Sequence, residues 1–460
     1  DGLDPRQADR VIEVKGPPLA AARNAAGAWT PAALGFARKN GVAVEACHEV
    51  TEPRGTFLAA RRLVPGRRAA DVLAAELPRL ILGIPFPKTM RWGDGDVEYA
   101  RPLQWVAALL GPEVVPFEVA GLAAGRRSRG HRTLDGDAWF DLPAADAYVE
   151  ALRAHHVLVD PAERRARLEA GFAAALAGLP GAQWRRDEEL LEEVVHLCEH
   201  PTPLRGSFEA SFFALPPEVI VTALRAHQRY FAVTAADGRT LLPHFLTARD
   251  GGERALDVVR RGNERVLRAR LADALFYWEF DQRAGPDDQA ARLGAVTWLE
   301  GYGSVLDKTR RLARLVGELW ELGLGDGRPL PSEATRAAVL SKFDLVSEMI
   351  KDGKEFTRLE GAIGAHYARR AGEPEAVARA IERHYLPRGA ADELPGDPVS
   401  TVLAVADRLD TLAGCWLAGF VPTGAKDPYA LRRHALAVLR IVLEAGDRKS
   451  TRLNSSHVAL

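Results

Sequence analysis

Arg261, Arg265 and Arg268 recur every three to four residues along one stretch of the chain, a spacing that places them together on one helix face. Leu267, Leu271, Ala274 and Trp278 form a separate apolar stripe at the same period, so a helix over 260–283 would bury one face and expose its guanidiniums. Three such groups in a row can track a phosphate backbone, because each planar fork matches phosphate geometry. The competing reading is a solvated face whose arginines pair with Glu264 and Asp273, and pattern alone favours it. The same choice applies to His227 and Arg229, beside Arg225. It applies again to Arg126, Arg127, Arg129, His131 and Arg132, which sit around Gly125 and Gly130 in the manner of a flexible phosphate-binding loop. Lys426 could also reach a phosphate, although a turn that starts the following helix explains Lys426, Asp427 and Pro428 more simply.

Familiar catalytic signatures are missing. The chain carries no HExxH, no GxxxxGK[ST] and no GxSxG, and the glycines near Gly323 fall between helical stretches instead of after a strand. Asp344 and Asp407 are read as lying in amphipathic helices, with Asp410 one turn beyond Asp407. In the HD phosphohydrolase superfamily a His-Asp pair on one helix and a later Asp on another hold metal ions. Here Phe343 stands where the histidine would be, and phenylalanine cannot ligate a metal, so a degenerate site without metal is expected. Cys47, Cys198 and Cys415 are too scattered for a zinc cluster or a disulfide framework, which points to a reducing, cytoplasmic setting.

Positioning these residues requires several domains, since 460 residues exceed one ordinary core. A helix is expected over 61–77 and stopped by Pro78, and another from Pro102 with Leu103, Val106 and Leu109 or Leu110 on one face. Residues 114–119 alternate as strands do. Pro216 and Pro217 signal a helix start, and 230–233 and 241–247 around Asp237-Gly238 read as a hairpin. Beyond about Gly285 the pattern is helical almost throughout. The fold class is therefore multidomain α+β: a mixed α/β N-terminal half, then a mainly helical HD-like domain. The expected segments are 1–98, 99–200, 201–284 and 285–446, followed by a Ser-, Thr- and Asn-rich stretch, 447–460, that looks like translated cloning sequence.

Composition is that of an ordinary globular chain, with 47% hydrophobic and 27% charged residues, and no apolar run long enough for a membrane span. The net charge of −1 provides no global attraction to nucleic acid, so any RNA contact must be a local patch. Only nine of the 61 basic residues are lysine, a bias that a GC-rich genome explains most simply.

Eleven segments, taken in order, resemble the beta subunit of bacterial two-subunit glycyl-tRNA synthetases. They are KTMRW at 88–92, RPLQW at 101–105, GHR at 130–132, HPTP at 200–203, ALPPEV at 214–219 and HQRYF at 227–231. GNERVLRARL at 262–271, GSVLDKT at 303–309, HYLPR at 384–388, ADRLDTL at 406–412 and PTGAKDP at 422–428 leading into ALRR at 430–433 complete the set. The resemblance implies a heterotetrameric assembly in which an alpha subunit carries the adenylation and transfer site and uses ATP and Mg, while the beta chain holds tRNA(Gly) and binds no cofactor itself. It implies a portion over 99–200 similar to that of phenylalanyl-tRNA synthetase beta chains, then an HD-like helical domain that has given up metal chemistry, with Asp344 and Asp407 at its degenerate positions. It also implies a chain cut at both ends and lacking the anticodon-binding part. Arg261, Arg265, Arg268, Arg229, His227, Arg129 and Lys426 are the residues expected to meet tRNA. A metal-dependent nucleotide phosphohydrolase and a scaffold for the alpha subunit that does not touch RNA are the alternatives.

Overall fold

The computed structural model describes residues 2–24, 26–325, 327–351, 354–423 and 426–453, with the side chains of 227, 354 and 445–453 excepted. The chain divides into two compact units, Asp1–Asp160 and Pro161–Leu460. That division falls inside the segment 99–200 expected as one domain.

The first unit begins with β1 (Arg10–Pro18), α1 (Leu19–Ala22), α2 (Pro31–Lys39), β2 (His48–Glu52) and β3 (Gly55–Val64). The strands form an antiparallel sheet in the order β1-β3-β2, with Val14 opposite Ala60 and Val50 opposite Phe57. Thr30 caps α2 by accepting from Ala33 N, and Pro31 occupies its first turn, where the missing N–H costs nothing. Ala33, Ala37, Ala22 and Leu58 then build a small core. Next comes α3 (Ala69–Leu82), which runs through Pro78 and ends only at Gly83. The expected stop at Pro78 and the expected helix over 61–77 are both corrected: residues through Val64 belong to β3, whose ladder with β1 claims their N–H and C=O groups.

Seven short strands follow: β4 (Val106–Ala107), β5 (Leu109–Leu110), β6 (Glu113–Val114), β7 (Glu118–Val119), β8 (Leu122–Gly125), β9 (Arg127–Arg129) and β10 (Trp139–Asp141). No helix starts at Pro102. Val106 and Ala107 pair in parallel with Ala124 and Gly125, and Leu109 and Leu110 pair with Val114 and Glu113. A short apolar run is ambiguous between helix and buried strand, and here distant partners decide. The basic loop expected over 126–132 is also corrected. Its middle is β9, with Arg129 opposite Trp139, Ser128 opposite Phe140 and Arg127 opposite Asp141. A seven-residue helix, α4 (Tyr148–Ala154), ends the unit.

The second unit opens with α5 (Pro161–Leu176), β11 (Gln183–Trp184), α6 (Glu188–Leu197), β12 (Pro201–Ser207), α7 (Pro217–Gln228), β13 (Phe231–Thr234) and β14 (Leu241–Asp250). The sheet order is β11-β13-β14-β12, all antiparallel. The helix start at Pro217 and the hairpin through Gly238, whose φ of 67° suits glycine, are as the sequence implies. Leu168, Phe172, Leu191, Val195, Phe231, Val233 and Leu246 form the core between α5, α6 and the sheet.

From α8 (Leu256–Asp281) onward the chain is helical: α9 (Pro286–Arg292), α10 (Val305–Leu319), α11 (Ser332–Leu340), α12 (Glu348–Lys351), α13 (Ala362–Arg370), α14 (Glu375–Arg383), α15 (Pro398–Leu417) and α16 (Leu431–Leu453). The stripe on α8 is buried as its period requires, with Leu267, Leu271 and Ala274 fully covered and Trp278 stacked on Tyr367 at 4.8 Å. Each large side chain of that stripe contributes about 2 kcal/mol of burial. Asp281 closes α8 by accepting from Glu348 N, Met349 N and Tyr367 Oη, which caps α12 and ties the long helix to the helical core. Ser304 and Asp307 make a reciprocal capping box at the start of α10. Asp397 and Pro398 start α15. Helix α16 continues through Leu453, into the stretch read as foreign, and 454–460 lie outside the described residues. The whole is a multidomain α+β architecture with a helical C-terminal region.

Candidate functional site

The helical region buries an unusual density of charge. Lys308 lies on α10 in line with Val305, Leu312 and Val316, an apolar stripe that carries it inward. Lys342 follows α11, where the Ser341 hydroxyl donates to the Ala338 carbonyl and the helix ends in a 3₁₀ turn over Phe343–Val346. His384 caps the C-terminus of α14, and Asp407, Arg408, Asp410 and Thr411 face inward from α15. Lys308, Lys342, His384, Asp407, Arg408 and Asp410 are all under a tenth exposed.

Their hydrogen bonds form one network. Lys342 Nζ donates to His384 Nε2 at 2.8 Å and to Asp407 Oδ2 at 3.0 Å, and sits 3.9 Å from the centre of the Tyr385 ring. Lys308 Nζ donates to Asp410 Oδ2 at 3.1 Å and Thr411 Oγ1 at 2.9 Å, and lies 3.0 Å from Asp407 Oδ1. Arg311 completes the pairing of Asp410 through two hydrogen bonds, of 2.6 and 3.1 Å. Burial alone would raise the Asp407 carboxyl, but the ammoniums of Lys308 and Lys342 override it and hold the group well below the usual carboxylate range. Burial, reinforced by Lys342, keeps His384 well below an ordinary histidine. It is neutral, with its Nδ1–H on the Ile381 carbonyl and Nε2 accepting from Lys342.

These residues do not fit a divalent metal. His384 and Asp407 are metal-ligand types, yet both aim at the Lys342 ammonium, and the second Asp407 oxygen faces the Lys308 ammonium. A divalent ion about 4 Å from one ammonium would be repelled by roughly 8 kcal/mol at an effective dielectric near 20. The fixed cations of the protein occupy that place. Asp344 serves a different purpose: it lies on the 3₁₀ turn and not within an α-helix as expected, because Lys342 leaves helical geometry before it. Its Oδ2 accepts from Gly361 N at 2.6 Å and Gly364 N at 3.1 Å, and Oδ1 is buried without a partner among the described residues. A Cβ on Gly364 would come within 3.0 Å of that carboxylate, so the close approach depends on glycine. Burial raises the Asp344 carboxyl to about 6. Phe343 is fully buried in the hydrophobic core.

The arginines of α8 are exposed, on a face separate from the buried stripe. Arg261 pairs with Asp257 at 2.9 Å and Arg268 with Glu209 at 2.5 Å, both across exposed positions. The partners foreseen from the sequence are thus replaced: Glu264 instead accepts from Ser207. Arg265 makes no hydrogen bond or ion pair with a described residue. Arg229 sits in the left-handed region at the end of α7, bonded to Glu193 at 2.8 Å. The side chain of His227 lies outside the described residues. Lys426 is exposed, and Asp427 caps α16 through Leu431 N and Arg432 N, so the local turn does start that helix. In the first unit, Arg129 stands 4.4 Å over the Trp139 ring and 6.0 Å from that of Trp105, and Arg127 lies 5.1 Å over Trp139. The two tryptophans meet edge to face at 5.4 Å, each 37% exposed. Arg126, by contrast, ties backbone carbonyls of Leu142, Pro143 and Pro112 together.

Sequence reasoning singled out Asp407 and Asp410 but missed Lys308, Lys342 and His384 as their partners. The available signal was a lysine inside an apolar stripe of α10. The tryptophan platform had no signal beyond two isolated aromatics.

Comparison with known proteins agrees with the ordered segments. A family model described as glycyl-tRNA synthetase beta subunit matches residues 1–457. A glycine–tRNA ligase beta subunit of Oleidesulfovibrio alaskensis is 44% identical over 453 residues, covering 98% of this chain and 64% of the relative. Those of Shouchella clausii and Bacillus subtilis are 42% and 41% identical, covering 96% and 95% of this chain and 63% of each relative. The chain therefore spans just under two thirds of the length of these curated relatives. It belongs to the glycyl-tRNA synthetase beta-subunit family.

Proposed function

We propose that this chain is the tRNA-holding part of a glycine–tRNA ligase: it binds tRNA(Gly) and supports ATP-dependent glycylation by a separate alpha subunit. ATP and Mg belong to that alpha subunit, and this chain binds no cofactor of its own. Beyond family membership, the observation that carries the reading is the exposed guanidinium row of Arg261, Arg265 and Arg268 on a helix anchored by a separate, buried face. Its two ion pairs are exposed, worth at most about 1 kcal/mol each, and so exchange readily for phosphate contacts. The Trp105, Trp139 and Arg129 cluster adds a surface on which an unpaired base can stack.

The test is glycylation of tRNA(Gly) by a matching alpha subunit with and without this chain, alongside capture of both partners on it. Activity that appears only with this chain supports the reading. Undiminished activity of the alpha subunit alone overturns it. The phosphohydrolase alternative finds no support in the buried cluster, since two lysines fill the place of the metal. Turnover of a generic phosphodiester with added Mn²⁺ would restore it. Crosslinks from tRNA that map to the partner subunit alone would favour the scaffold reading.

A further inference from the structure

Next to the buried cluster, where α14 gives way to Tyr385–Arg388 and α16 begins, lies a cavity of about 320 Å³. Its wall holds Tyr385, Arg388, Arg408, Arg433, His434 and Glu360. The volume lies at the small end of the range of small-molecule sites, roughly 300–1,000 Å³. Three guanidiniums against one carboxylate give it a net positive lining.

Among the described residues, no guanidinium of this wall is hydrogen-bonded to a carboxylate. Arg408 is buried, and its four hydrogen bonds go to neutral carbonyls, of His384 at 2.7 Å, Ala404 at 2.9 Å, Tyr385 at 2.8 Å and Pro387 at 3.1 Å. Arg388 is likewise held by the carbonyls of Arg358 and Glu360, both at 3.1 Å. Arg433, exposed on the first turn of α16, makes no hydrogen bond or ion pair with a described residue. The first two N–H groups of α16 are already taken by Asp427, so an anion here would be held by side chains and not by the helix end.

We propose that this cavity binds a phosphate monoester group. Arginine is suited to such an anion because its planar fork presents two parallel N–H donors. Arg433 closes on the phosphate from the rim, Arg388 and Arg408 supply charge from the wall, and the His434 ring faces it as a neutral partner. The Tyr385 ring, with Pro387 beside it, offers an apolar wall for a sugar or base, and Glu360 offers an acceptor for sugar hydroxyls. A free phosphate would meet Glu360 as a like charge, so the lining favours a nucleoside monophosphate. The site is independent of the tRNA reading and of the residues on α8.

His434 is the natural reporter. Burial lowers it to about 4, with Asp407 opposing and Arg408, Lys308 and Lys342 reinforcing the shift. A phosphate anion placed beside the ring, singly charged in that pH range, would favour the imidazolium and reverse part of that. The experiment uses the full chain with ¹³C-labelled histidine, His434→Gln to assign the resonance, and three probes: inorganic phosphate, AMP and adenosine. Saturable binding of AMP at or below the millimolar range is expected, with the His434 titration moved up by about one unit. Arg433→Ala, at an exposed position, should weaken binding about tenfold without altering the circular dichroism of the chain. AMP tighter than phosphate assigns the source as a nucleotide, and equal affinities assign the free anion. The proposal is overturned if neither phosphate-bearing probe saturates, if adenosine binds as well as AMP, or if Arg433→Ala leaves affinity unchanged.

Discussion

Replacing Lys342 by methionine removes an ammonium while keeping most of its volume, and so tests whether the buried cluster is a charge network. The lost contacts are the donor to His384 Nε2, the donor to Asp407 Oδ2 and the cation over the Tyr385 ring. An orphaned buried acceptor costs about 1–3 kcal/mol, and removing one partner of a buried ion pair about 3–5 kcal/mol in all. Lys308 still faces the other Asp407 oxygen, which limits the damage to the lower half of that range, about 3 kcal/mol. Urea unfolding followed by tryptophan fluorescence and circular dichroism measures it. Asp407→Asn and the double variant complete a cycle, in which a coupling of about 1–3 kcal/mol is expected. The pH dependence should weaken as well. In the native chain His384 is depressed, so the unfolded state binds more protons near pH 6 and stability falls with acid. Without Lys342 one cation that depresses the ring is gone while Asp407 remains, and burial and Arg408 still oppose its charging, so acidification from about pH 7.5 to 6 should cost the variant less stability than the native chain. A loss below about 1 kcal/mol, or strict additivity in the cycle, would refute the network.

Asp344→Asn should change the pH profile. The Asp344 carboxyl sits at about 6, above its unfolded value, so its stabilising contribution is complete below about pH 4 and lost as pH rises through 6. Asparagine cannot ionise, so the difference between variant and native stability should shift in the variant's favour by about 2 kcal/mol between pH 4 and 7.5, and parallel urea curves would contradict this. The triple variant Arg261→Ala, Arg265→Ala, Arg268→Ala should lower the slope of log affinity for tRNA against log salt by about one unit per side chain, with little loss of fold stability; an unchanged slope removes that face from the interface. Trp139→Ala should weaken binding to unpaired RNA by about 1–3 kcal/mol and abolish part of the tryptophan quenching on RNA addition. Quenching and affinity equal to those of the native chain would make the platform a structural pair only.

What the sequence by itself determined are features settled within a few residues. The period of Leu267, Leu271, Ala274 and Trp278 identified the buried side of α8, and hence the exposed side where Arg261, Arg265 and Arg268 lie. Pro217 at a helix start and Asp237-Gly238 between two apolar runs are local backbone preferences, and both hold. The family followed from ordered segments. Tertiary structure alone decided the rest, because the deciding partner lay elsewhere in the chain. The run after Pro102 is strand because Ala124 and Gly125 pair with it, and the middle of the basic 126–132 segment, Arg127–Arg129, is strand because Trp139–Asp141 pair with it. Lys308 meets Asp410 across 102 positions, and Lys342 meets Asp407 across 65. A lysine in an apolar stripe gives no indication of what neutralises it, since the cost of burying its charge is offset only by a carboxylate that folding brings within 3 Å or so.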